Sequence, residues 1–66
     1  MRNNVLWRKI ARIIMMISEN LHISSERALD LFYQSRVYPM LVDPCYGLQT
    51  MSDTYIYDEF ILELRG

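Results

Sequence analysis

Ile23-Ser24-Ser25-Glu26-Arg27-Ala28-Leu29-Asp30-Leu31-Phe32 is the stretch around which the rest of the chain can be read. Ser24 carries the short polar side chain that caps the free N–H groups of a first helical turn, and Ile23 before it is placed to staple onto Ala28. Behind that cap, Ala28, Leu29, Leu31 and Phe32 fall on one broad apolar arc, while Glu26, Arg27, Asp30 and Gln34 lie around the opposite side. The spacing predicts a buried helix that ends near Ser35 or Arg36, with the elements before and after it laid on its apolar arc.

The preceding segment repeats the helical period. From about Asn4 to about Leu21, capped by Asn3 or Asn4, the residues Leu6, Trp7, Ile10, Ile13, Ile14, Ile17 and Leu21 share an arc of about 120°. Arg8, Lys9, Arg12, Glu19 and Asn20 take the other side, and Asn20 to Ser24 is the turn into the second helix. Val5, Met15 and Met16 break the pattern, because they fall among the charged residues. After the second helix, Pro39 and Pro44 exclude one continuous helix from Tyr38 to Thr50. Each proline suits the first position of a short helical turn, so the expectation is Pro39 to Val42 and Pro44 to Gln49, the second weakened by Gly47. Ser52 or Asp53 then caps a last helix of about Asp53 to Leu64, with Ile56, Tyr57, Phe60, Ile61 and Leu64 as its core stripe. Tyr55 and Leu62 lie on its reverse side between Asp58, Glu59 and Glu63. The fold class expected is all-α, a small compact bundle of three main helices plus a short Pro-broken helical segment.

Composition bounds what such a bundle does. A chain of 66 residues makes a single domain that buries only about 60% of the surface its unfolded form exposes, so its stability margin is thin. Small domains of this size lean on disulfides, metals or self-association. With Cys45 and His22 the only cysteine and histidine, and neither in a ligand-spaced cluster, no metal or other cofactor is expected, which leaves a homo-oligomer or a protein partner. The 52% hydrophobic content argues against disorder. Net charge is only −1, yet Arg2, Arg8, Lys9 and Arg12 crowd one end, while Asp43, Asp53, Asp58, Glu59 and Glu63 face Arg65 alone at the other. The apolar run Ile13 to Ile17 is shorter than the roughly 7 to 15 residues of a signal h-region, and no stretch reaches the roughly 20 of a membrane span. With an unpaired cysteine, the expectation is a cytoplasmic protein that does not enter a membrane.

The chain also resembles a family of short bacterial proteins known only as a domain of unknown function. The resemblance rests on Ile23-Ser24 with Ala28-Leu29 and Leu31-Phe32, on Val37-Tyr38, on Tyr46-Gly47-Leu48 and on the ending Tyr55-Ile56-Tyr57-Asp58-Glu59-Phe60. Members tend to carry a histidine where Gln49 stands and to lack a proline at Pro44. Because such reading frames often neighbour genes for predicted toxins, some resembling ADP-ribosyltransferases, the resemblance implies an antitoxin-like or accessory binding role. It supplies no catalytic residues.

Candidate chemistry is sparse. His22 lies in the first interhelical turn, where a structural or exposed role is expected, since no nucleophile has a place beside it. Cys45 reads as a small buried hydrophobe, and Asp58, Glu59 and Glu63 as a solvated helix face. Two glycines make no phosphate-cradling loop. No enzyme is expected. The function expected is a non-enzymatic interaction module, whose interface residues are Val5, Met15 and Met16 in a basic setting and Tyr55 and Leu62 in an acidic one. The alternative is a helix-turn-helix-like nucleic-acid binder using Arg8, Lys9, Arg12 and Arg27, against which stand Glu26, Asp30 and a pI near 5.6.

Overall fold

A computed structural model describes residues 4–66. Its first helix, α1 (Asn4–Leu21), turns Ile10, Ile13, Ile14 and Ile17 into the core, with Leu6 and Leu21 half-buried beside them. Of the two expected caps, Asn3 lies outside the described residues, as does Arg2, and Asn4 is already helical. Trp7 departs from the expected arc, being 49% exposed. It stands at the edge of the isoleucine stripe, where it reaches a groove rather than the core. The helix closes when His22 adopts a left-handed φ of 57° and the Ile23 N–H donates to the Ser18 carbonyl at 3.1 Å. That is a Schellman closure with histidine where glycine is usual, and it delivers the half-buried Ile23 to the core.

The second helix, α2 (Ser25–Gln34), begins as its sequence predicts: Ser24 is extended, and its hydroxyl accepts from the Arg27 N–H at 3.1 Å. Ala28 and Phe32 are buried and Leu31 half-buried, but Leu29 is exposed, so the buried arc is narrower than expected. The helix stops at Gln34, one residue before the expected end. Ser35 causes this, because its N–H and its hydroxyl both donate to the Phe32 carbonyl, at 3.1 and 2.6 Å, satisfying that oxygen without another helical turn.

The third helix, α3 (Val37–Val42), starts two residues ahead of Pro39 rather than on it. First-turn N–H groups have no intrahelical partner, so proline is tolerated at this third position. The earlier start is held from outside the helix. Val37 is buried, the Tyr38 ring meets Phe32 edge-on at 6.0 Å, and the carboxylate of Glu63 accepts the Arg36 N–H at 2.9 and 3.0 Å. Next come two 3₁₀ turns where a single turn was expected, Pro44–Tyr46 and Leu48–Thr50, separated by Gly47 at φ 73°. Asp43 caps the first by accepting the Cys45 N–H at 2.9 Å, and Leu48 anchors the second in the core. Cys45 itself is exposed, contrary to expectation, because the turn it belongs to buries no side chain.

The last helix, α4 (Asp53–Arg65), is capped by Ser52, whose hydroxyl accepts the Tyr55 N–H at 3.1 Å. Ile56 and Phe60 are buried, and Tyr57 and Ile61 half-buried. Leu64, assigned to the same stripe, is 48% exposed, since the final turn overhangs the end of α2 beside Leu31 and Gln34. Phe32 lies at the centre, its ring 5.8 Å from Phe60. Among the described residues there is no strand, and the architecture is an all-α bundle.

A candidate interaction surface on the first two helices

The basic end of α1 is partly neutralised within the fold. Lys9 Nζ donates to one Asp53 oxygen at 2.8 Å and Arg12 Nε to the other at 2.6 Å, pinning α1 to the first turn of α4. Lys9, expected on the solvated side, keeps only 12% of its side chain exposed. These two hydrogen bonds, that from Arg12 the stronger influence, hold the Asp53 carboxyl below its ordinary value of 3.8. The Arg12 guanidinium is raised in turn by the same bond. A carboxyl lowered on folding contributes stability that is complete above its unfolded value and is lost as pH falls through the folded one. Asp53→Asn is therefore expected to be less stable than the native chain at neutral pH, the difference closing only well below pH 3.8. Thermal melts of both proteins across that range check it; a gap constant down to the lowest pH would show that Asp53 acts without its charge.

Arg8 and Arg27 are exposed and make no ion pair among the described residues. Of the four cations assigned to nucleic acid, then, two already have a carboxylate. Arg27 shares α2 with Glu26 and Asp30, so α2 does not present a basic face.

The apolar residues assigned to an interface are distributed differently than expected. Val5 is 79% exposed, but Met16 is half-buried and lines neither of the two apolar grooves. Met15 is 57% exposed. It lines a groove of about 420 Å³ between α1 and α2, together with Trp7, Ala11, Leu29, Tyr33 and Glu26. Tyr55 and Leu62, also exposed, do meet in one groove, of about 400 Å³ between α3 and α4, which Arg36, Glu59 and Glu63 line as well. Glu63 is less a solvated acid than the cap of α3, as its bonds to the Arg36 N–H show.

The α1–α2 groove is the more apolar of the two. Four large side chains, Trp7, Met15, Leu29 and Tyr33, are exposed along it, with Glu26 its single charged lining residue. Periodicity alone hides it, because it sets Trp7 and Leu29 on the core arcs of their helices and gives Tyr33 no role, whereas all three are exposed. The signal was present as Trp7, Ala11 and Met15 at four-residue spacing on α1, matched by Leu29 and Tyr33 on α2. The small Ala11 in the middle leaves the groove open. Elsewhere His22 is exposed, and among the described residues no group of three or more histidine, cysteine or carboxylate side chains is placed to hold a metal. No described helix is long and apolar enough to cross a membrane. Comparison with known proteins returned no matching family model, no matching curated protein and no matching solved structure.

Proposed function

We propose that this chain is a non-enzymatic interaction module that self-associates through the α1–α2 groove. The observation that carries the proposal is the line of Trp7, Met15, Leu29 and Tyr33, exposed side by side on two helices rather than scattered singly. Tryptophan, tyrosine and methionine are the residue types that interface centres enrich, and a contiguous apolar groove on so small a domain marks a binding surface. Self-contact also supplies the burial that a 66-residue chain lacks. The family resemblance would place the assembled module in an antitoxin-like or accessory role, with a toxin as a further partner.

Trp7→Glu combined with Leu29→Glu tests the proposal, since both side chains are exposed and neither substitution empties the core. The double variant is expected to lower the molar mass in solution to that of a single chain while leaving far-UV circular dichroism unchanged. Leu62→Glu, in the other groove, is expected to leave the mass as it was. An unaltered mass in the Trp7/Leu29 variant would refute the assignment of the groove.

A further inference from the structure

We infer that the second copy of this chain docks turned end for end, with α1 of each copy lying antiparallel along α1 of the other so that Arg8 meets Glu19. The inference rests on the interaction reading above and adds the geometry of the contact.

Its basis is the outermost stripe of α1. The helix buries Ile10, Ile13, Ile14 and Ile17. At about 100° and about 1.5 Å per residue, Arg8 and Glu19 lie on the opposite side, within about 20° of one another and about 16.5 Å apart along the axis. Both are exposed, and neither makes an ion pair among the described residues. Met15 falls between them on the same stripe, and with Ala11 it forms the lip of the groove. The other cation of that stripe, Arg12, is held by Asp53.

A stripe that is basic at one end and acidic at the other is complementary to itself when reversed. A two-fold axis perpendicular to α1, crossing it midway between Arg8 and Glu19, sets each arginine at the height of the other copy's glutamate, and symmetry repeats the contact. The same axis brings each Met15 to within about one residue's rise of the other copy's Ala11, so that a long flexible side chain meets a small one. The other closed pairing, with the axis along the groove, keeps every residue at its own height. Glu19 near the end of α1 and Glu26 near the start of α2 both flank the interhelical turn, so that pairing sets acid on acid. Of the two, only the reversed arrangement joins opposite charges.

The experiment is charge reversal and its rescue within one chain, read by sedimentation velocity at low salt. Arg8→Glu alone and Glu19→Arg alone are each expected to weaken self-association roughly tenfold, because each sets like charges together at two symmetric places. Neither is expected to unfold α1, since a glutamate towards the N-terminus of a helix and an arginine near its C-terminus both suit the helix dipole. Arg8→Glu and Glu19→Arg in the same chain are expected to associate about as tightly as the native protein, the pair being restored with its signs exchanged. Should a reversal lose helicity, Arg8→Ala and Glu19→Ala take its place, and the double alanine variant is then expected to associate no more weakly than either single one. Single variants that associate like the native chain, or a doubly reversed variant as weak as the single reversals, would overturn the antiparallel geometry. If the Trp7/Leu29 variant has lost assembly while the rescue fails, the groove stands and its geometry falls. If that variant assembles normally, the interaction reading falls first.

Discussion

Phe32→Ala is expected to leave the chain unfolded at room temperature. Phe32 has no exposed surface, and its ring is held between Phe60 at 5.8 Å and Tyr38 at 6.0 Å, so truncation removes the contact that joins α2, α3 and α4. Deleting a buried phenylalanine costs about 3–5 kcal/mol, and a domain of this length has roughly 3–10 kcal/mol in total at the usual stability per residue. Loss of most helical circular dichroism at neutral pH is the expected reading. A cooperative melt shifted by only a few degrees would mean that the aromatic cluster is not the centre of the fold.

Leu41→Ala is expected to be nearly as damaging, although Leu41 belongs to the shortest of the four helices. It is fully buried, which puts the expected loss at about 2–5 kcal/mol. The informative comparison is Leu64→Ala, a residue that periodicity alone would rank as equally important. Leu64 is half exposed on the overhanging end of α4, and its truncation is expected to cost under about 1 kcal/mol. Urea titrations of the two variants measure the difference directly. Equal losses would contradict the placement of the Pro-broken segment inside the cooperative core, because only a core position explains why Leu41 outweighs Leu64.

What the sequence made legible is what neighbouring residues decide among themselves. Ser24 and Ser52 cap α2 and α4 as their positions imply, and Asp43 before Pro44 caps a 3₁₀ turn. These are bonds across two or three residues. The isoleucines of α1 were legible for a similar reason, since they occupy the middle of a wide arc and are buried wherever the neighbouring helices settle. Residues at the edge of an arc were not. Trp7, Leu29 and Leu64 have apolar angles, but their burial depends on where another helix ends or how far apart two helices stand, and periodicity carries no such distance. The links from Lys9 and Arg12 to Asp53 span 44 and 41 residues, and the Glu63 cap on Arg36 spans 27. Nothing local announces them. The candidate surface failed to show in the sequence for both reasons at once, because it is made of edge residues on two helices whose separation is a tertiary fact. Of the five residues expected at an interface, only Met15 lies on it.

The charge pattern looks different once the fold is known. Basic residues crowd one end of the sequence and acids the other, but part of that opposite charge is paired within the chain by Lys9, Arg12 and Asp53. Arg8 stays exposed with no ion pair among the described residues, and Glu26 is the single charged residue that lines the α1–α2 groove. Exposed ion pairs are worth about 0.2–1 kcal/mol each and are screened by salt, so under the proposed self-association Trp7, Met15, Leu29 and Tyr33 are expected to supply most of the affinity.

Self-association through the α1–α2 groove is tested most directly by multi-angle light scattering on the purified native chain over a wide concentration range. The expected result is a weight-average mass that rises with concentration from one chain of 7.9 kDa toward two and levels there, as the proposed pairing of two chains through one groove requires. A mass that stays at one chain at every concentration, with helicity intact, would contradict it.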